Sequence, residues 1–290
     1  MSEKEIGMSK KLEMAQDNQK SIKKEDKLKE NLKDVKNIYL VMSGKGGVGK
    51  STVAAAIAAG LAVRGNKVGI IDCDMHGPSI PAIFGISEIR PGIENNKIAP
   101  IYPISNLSVM SIGFLLEDDD QPVIWRGPVK SGAIRQFFEE VEWGNLDYLI
   151  VDLPPGTGDE PLGIAQMLTT EINGAIIVTI PQDIALKSVR KSLTFLEKLN
   201  IKPYGIVKNM DGLVCPKCNE KIHVFGSDTG SVEKASEDYN VPVLAKLPLD
   251  PEFSEAEEKG EIIRWMMKES AWKSAITPLL DKIEDDNLNS

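Results

Sequence analysis

Two lysines five residues apart, Lys45 and Lys50, stand in the run Ser43-Gly44-Lys45-Gly46-Gly47-Val48-Gly49-Lys50-Ser51-Thr52. Residues of these types at this spacing handle phosphate. The glycines let successive backbone N–H groups turn toward an anion, Lys50 reaches the β- and γ-phosphates of a nucleotide, and the Ser51 hydroxyl takes a place on Mg²⁺. Binding a nucleotide needs only Lys50, so Lys45 is surplus to binding and points to mechanism. Two sets of aspartates accompany the loop: Asp72-Cys73-Asp74, and Asp152 at the head of Asp152-Leu153-Pro154-Pro155-Gly156-Thr157-Gly158-Asp159. Carboxylates beside a phosphate loop organise Mg²⁺ and its waters. Asp152 is the metal-side candidate, and one of Asp72 and Asp74 would orient or deprotonate an attacking water. Both are expected to point the same way if the strand continues through them.

Cys215 and Cys218 form a single C-x-x-C. Two thiolates are half of what a [4Fe–4S] cluster or a structural zinc usually takes, and a two-fold dimer presents the same pair twice. A bridging cluster, a bridging zinc and a redox pair all remain open on spacing alone. The redox reading wants its first cysteine at a helix N-terminus, whereas this pair follows a strand and Asp211-Gly212 and precedes a loop or short hairpin. Cys73 reads as a small buried thiol, His223 as a surface histidine, and His76 as a neighbour of the aspartates.

The elements that must position these residues are legible as alternating runs. Ile38 to Met42, Lys67 to Asp72, Leu107 to Ile112, Asp147 to Asp152, Ala175 to Ile180, Ile201 to Asn209 and Val243 to Leu247 read as strands. Helices are expected over Thr52 to Val63, Val129 to Val141, Pro161 to Thr169, Ile184 to Leu199 and Ser231 to Tyr239. This alternation predicts an α/β fold, a doubly wound and mainly parallel β-sheet flanked by helices, with ligands at the carboxyl ends of its strands. Ile262, Ile263, Trp265, Met266, Met267 and Trp272 suggest a covering helix packed on the core.

The chain has 290 residues, 42% of them hydrophobic, with a net charge of −9 and three cysteines. One main core is expected. The acidic balance argues against general nucleic-acid binding, and an odd cysteine count argues against a disulfide framework. With no signal-type segment and no bilayer-length apolar run, the expectation is a cytoplasmic protein without membrane attachment. Residues 1–36, dense in Lys, Glu, Asp, Asn and Gln, are expected to be a disordered tail. The folded domain is placed at 37–284, with the cysteine loop at 211–226 and an acidic tail at 285–290.

The loop Lys45 to Ser51 resembles the deviant Walker A of the ATPase class that includes MinD, the ParA partition proteins and the nitrogenase iron protein. Within it, Asp72 to Pro81, Trp125-Arg126-Gly127-Pro128, Asp152 to Asp159, Lys208-Asn209-Met210 and Cys215-Pro216-Lys217-Cys218 resemble the Mrp/ApbC family of iron–sulfur carrier ATPases. The resemblance implies a P-loop NTPase that hydrolyses ATP slowly with Mg²⁺, as a homodimer in which Lys45 reaches the partner's phosphates. It implies that Asp74 is the switch I catalytic aspartate, Asp152 the switch II aspartate, and Asn209 an adenine contact. It favours a [4Fe–4S] cluster on Cys215 and Cys218, carried to apo iron–sulfur proteins. The competing readings are a positioning ATPase of the MinD/ParA kind and a P-loop ATPase with bridging zinc. A positioning ATPase would hold membrane or DNA through basic surface, and the acidic end of this chain argues against it.

Overall fold

In a computed structural model, residues 27–115, 127–168, 171–214, 217–218, 220–225 and 230–288 are described. Their centre is an eight-stranded sheet ordered β12-β9-β8-β1-β7-β2-β6-β5. Its strands are β1 (Val35–Met42), β2 (Val68–Asp72), β5 (Ile101–Ile104), β6 (Leu107–Ser111), β7 (Leu146–Asp152), β8 (Gly174–Thr179), β9 (Pro203–Lys208) and β12 (Val243–Lys246). All neighbours run parallel except β5, which turns back on β6. The central strands are continuous apolar runs because helices cover the sheet, leaving no solvated face to alternate toward. The small hairpins β3–β4 (Ile93–Glu94, Lys97–Ile98) and β10–β11 (Leu213–Val214, Lys221–Ile222) lie outside the sheet.

Helix α2 (Lys50–Val63) leaves the phosphate loop and is buried along nearly its whole length. Its alanines, Ala54 to Ala56 and Ala58 to Ala59, let strands and helices approach on every side, which larger side chains would prevent. The helices that follow α2 are α3 (Ile80–Ile83), α4 (Gly127–Glu140), α5 (Asp159–Leu168), α6 (Asp183–Lys198), α7 (Ser231–Tyr239), α8 (Pro251–Glu258), α9 (Ile262–Met266) and α10 (Ala271–Leu288). Ile262, Trp265, Met266 and Trp272 are buried, and Phe253 stacks on Trp272 with ring centroids 4.1 Å apart. The expected cover is thus core, built from three helices; Met267 is exposed.

Helix α10 also closes the end of the sheet opposite the phosphate loop. Asn287 accepts from Asn37, Asp286 from Tyr204, and Glu284 from Asn66, while Arg64 bonds to both Asp281 and Glu284.

Both tail boundaries move. Residues 27–32 form a helix, α1, whose Leu28 and Leu32 are buried in the core, and Asn31 donates to the Phe138 and Val141 carbonyls. Four residues, about one helical turn, separate the two leucines, so they share a face that the surrounding charges hid in the composition. Residues 285–288 continue α10. Residues 1–26 and 289–290 lie outside the described residues. Leu32→Ala is expected to cost about 2–4 kcal/mol, read as a lowered urea midpoint with an unchanged slope; a disordered tail would tolerate it without effect.

Candidate functional site

The phosphate loop spans the gap between β1 and α2, at the carboxyl edge of the sheet. Gly49 caps α2 with φ 76°, a left-handed conformation that glycine adopts freely. Its open side lies against Asn209: a Cβ there would sit 2.3 Å from Asn209 Nδ2. Asn209 Nδ2 donates to Val48 O at 3.0 Å, and its own N–H donates to Thr179 O at 2.7 Å. The residue following β9 therefore braces the turn of the loop. Gly44 is pressed against Ser188 of α6, Gly46 and Gly47 are exposed, and Val48 is buried.

Lys50, Ser51 and Asp152 converge. Lys50 Nζ lies 2.6 Å from Asp152 Oδ1 and 3.1 Å from Ser51 Oγ, while Ser51 Oγ donates to Asp152 Oδ2 at 2.5 Å. Lys50 is 6% exposed and Asp152 fully buried. A buried charge of either sign is stable only when paired, so each fixes the other. Asp152 pairs in register with Asp72 across β7 and β2. Burial, reinforced by the charge of Asp152, pushes the Asp72 carboxyl up to about 7. Burial also holds the Asp152 carboxyl above its usual value, with Lys50 and Ser51 opposing that rise.

The shared direction expected of Asp72 and Asp74 is not observed, because β2 ends at Asp72. Asp72 instead turns beneath the following loop and accepts from Asp74 N at 3.0 Å, Ile80 N at 3.2 Å and Ser111 Oγ at 3.0 Å. Asp74 lines a cavity of about 410 Å³ with Lys50, Ser51, Pro155, Thr52 and Glu257. The carboxylate that faces the cavity is Asp74; Asp72 shapes the loop that presents it. His76 N donates to Asp74 Oδ1, and His76 Nε2 approaches Glu160 at 3.5 Å. The loop after Asp152 is tied to the phosphate loop, with Gly156 N donating to Ser43 O at 2.8 Å.

Oxygen donors suit Mg²⁺: Ser51 lines this cavity, and Asp152 Oδ2 lies behind it, hydrogen-bonded to Ser51 Oγ. The residues fit that ion. Lys45 is half-buried, with Nζ 3.0 Å from Gln182 Oε1 in the same chain. Gln182 went unmarked in the sequence although it follows the carboxyl end of β8, where such residues collect. The Thr52 hydroxyl donates to Glu257, some two hundred positions away, which nothing local signals. Burial raises the Glu257 carboxyl above the usual carboxylate range; Thr52 opposes this and Glu258 adds to it. Between the ordinary value and the raised one, the folded chain holds more protons than the unfolded chain, so stability falls as pH rises through that window. Glu257→Gln is expected to melt higher relative to wild type at pH 8 than at pH 4.5, measured without nucleotide. It should also tighten ADP binding roughly threefold by removing a carboxylate from a phosphate cavity.

The cysteine segment is a hairpin, with Leu213 paired to Ile222 and Val214 to Lys221. Cys218 stands exposed at its turn; Cys215 lies outside the described residues. Cys73 is buried, and burial, with the charges of Asp72 and Asp152, holds its thiol well above the usual range. His223 is exposed. Among the described residues no cluster of three or more His, Cys, Asp or Glu stands ready for a metal, and no helix is long and apolar enough to cross a membrane.

Comparison with family models matches residues 34–284 to ParA, described as NUBPL iron-transfer P-loop NTPase. The chain belongs to this family. Among curated relatives of this P-loop NTPase, the "Iron-sulfur cluster carrier protein" of Methanocaldococcus jannaschii is 44% identical over 271 residues, covering 92% of each chain. The "Cytosolic Fe-S cluster assembly factor CFD1" of Kluyveromyces lactis is 44% identical over 265 residues, 90% of this chain and 93% of that one. Among solved structures, a nucleotide-binding protein of Archaeoglobus fulgidus in complex with ADP superimposes with a TM-score of 0.75 at 37% identity, over 86% of this chain and 95% of the other. The cell division ATPase MinD of Pyrococcus furiosus shares the fold, with a TM-score of 0.58 at 22% identity over 86% and 98%. The NTPase family and the doubly wound fold expected from the sequence are borne out.

Proposed function

We propose that this NTPase is an ATP-hydrolysing carrier of a [4Fe–4S] cluster, held between two copies of the chain by Cys215 and Cys218 of each and passed to apo iron–sulfur proteins. The observation that carries the reading is the placement of the cysteine hairpin. Its first strand, β10, begins at Leu213, four residues beyond the asparagine that braces the phosphate loop. Relatives named as a cluster carrier and a cluster assembly factor align over about nine-tenths of the chain and support the cargo.

Hydrolysis follows from the cavity. Backbone N–H groups of the loop and Lys50 hold the phosphates in line, Asp74 places the attacking water, and Ser51 with Asp152 would hold Mg²⁺. When bound, the ion would supply positive charge against the phosphates. Thr52 and Asn209 serve the nucleotide on either side of the loop, Asn209 as the adenine contact. Positioning and fixed charge do most of the work in such transfers. Lys45, once released from Gln182, reaches the partner's phosphates, where it adds positive charge as the transition state forms. Four thiolates drawn equally from two chains make cargo easy to surrender, since parting the chains removes half the ligands.

The experiment is anaerobic reconstitution of the full chain with iron and sulfide, followed by metal and sulfide analysis. About four iron per two chains is expected for one cluster, lost in Cys215→Ala/Cys218→Ala. Tightly bound zinc that iron does not displace would replace this reading with the bridging-zinc one.

A further inference from the structure

The hairpin's two roots meet at one buried ammonium. Lys208, the last residue of β9, is 1% exposed, and its Nζ lies 3.1 Å from Asp211 Oδ1 and 2.9 Å from Glu233 Oε1. Asp211 stands just before β10, where the chain enters the hairpin. Glu233 lies in the first turn of α7, the helix reached after the chain leaves it. Lys246 of β12 also pairs with Glu233, at 2.6 Å. Burial alone would raise Glu233, but Lys246 and Lys208 outweigh it and hold the carboxyl below its usual value, so it is ionised. Removing an ammonium this deep would leave two carboxylates facing each other in the protein, so the cluster is far more demanding than a surface pair.

The other side of Lys208 is the nucleotide loop. Its sequence neighbour is Asn209, which donates to Val48 O and against which Gly49 is packed without room for a methyl group. The backbone is stitched as well: Leu247 N donates to Lys208 O, Asp211 N to Leu247 O, and Leu249 N to Gly212 O. The loop's turn cannot shift without displacing Asn209, and the peptide that carries Asn209 carries Lys208. A displacement of a few tenths of an ångström there changes distances to two carboxylates at once, one at each root of the hairpin. Packed elements respond to such displacements by switching between arrangements rather than by bending.

We propose that Lys208 is a positioning residue that couples nucleotide occupancy of the phosphate loop to the geometry of the cysteine hairpin. In the carrier reading above, on which the purpose of this coupling rests, nucleotide thereby sets how firmly the hairpin grips its cargo. The coupling itself is a property of the chain without metal, and it is tested there.

The test is amide hydrogen exchange on the full, iron-free chain with and without ADP and Mg²⁺, following the peptide that contains 213–222. In wild type, ADP is expected to change hairpin exchange by about fivefold or more, the lower end of ordinary coupling between sites. In Lys208→Met, which keeps length and removes the charge, ADP should still bind within about threefold of wild type, measured by calorimetry, and still protect the phosphate loop, while the hairpin ceases to respond. Lys208→Arg should restore part of the response. If the methionine variant does not fold, Glu233→Gln, which loosens only the partly exposed root, should reduce the response without loss of binding. A wild-type hairpin indifferent to ADP, or a full response in Lys208→Met or Glu233→Gln, overturns the proposal. Failure to load iron in reconstitution would overturn the carrier reading and leave these exchange results standing.

Discussion

Lys50→Ala is expected to lower the rate of ATP hydrolysis by on the order of a hundred- to a thousandfold, the usual loss when one preorganised charge is removed from a developing anion. The same change strikes stability. Asp152 is fully buried with Lys50 Nζ at 2.6 Å, and Asp72 lies beside it in register, so deletion of the ammonium leaves two carboxylates in the interior. Losing one partner of a buried pair costs about 3–5 kcal/mol. Uptake of a proton by the two aspartates softens that figure as pH falls, and the variant should therefore recover stability in acid. Asp152→Asn strands the lysine instead, with the opposite dependence. In Lys50→Met/Asp152→Asn no charge is stranded between the two positions, so the double variant should be less destabilised than the sum of Lys50→Met and Asp152→Asn, while hydrolysis stays lost. Phosphate release and urea titrations of the four variants at two pH values check each part; additive destabilisation would show that the pair does not act as a unit.

Gly49→Ala and Gly47→Ala should separate backbone strain from steric conflict. Both glycines have positive φ, 76° and 73°, and an L-residue there costs about 1–2 kcal/mol. An added methyl group at Gly47 meets nothing within 4 Å, whereas at Gly49 it meets the Asn209 amide at 2.3 Å. Gly49→Ala must therefore also drive Asn209 off Val48 O, at roughly a further 1 kcal/mol for the lost bond. ADP affinity should fall tenfold or more in Gly49→Ala, equivalent to about 1.4 kcal/mol, since the loop can no longer close on its brace. Calorimetry with ADP and urea melts decide this; equal effects at the two positions would refute the role given to Asn209.

Much of this site was legible because the chemistry lies where short-range pattern and strand ends coincide. The phosphate loop, Asp152 and Asn209 each follow an apolar strand, and parallel topology gathers those ends into one edge. Asp72 and Asp74 show where such reasoning stops. Their alternation presumes a continuing strand, and β2 ends at Asp72, so the first carboxylate serves the loop and only the second faces the cavity. Gln182 and Glu257 were missed because pairing partners at 137 and 205 positions' separation leave no local mark. Helix α1 was missed for another reason. Its two buried leucines are enclosed by Lys, Glu and Asp, and a composition average cannot register a face so narrow.

The seal that α10 places on the far end of the sheet has a consequence for how the chain is made. Asn37 near the start waits for Asn287, at a separation of 250, and Tyr204 and Arg64 wait for Asp286 and Asp281. Contacts this distant in sequence close late and slow the search. A chain growing from the ribosome would hold a nearly complete nucleotide edge while its opposite rim stayed open, with Tyr204 lacking Asp286 and Lys282 until α10 packs. Docking of α10 thus sets the moment at which that rim is shielded from neighbouring chains.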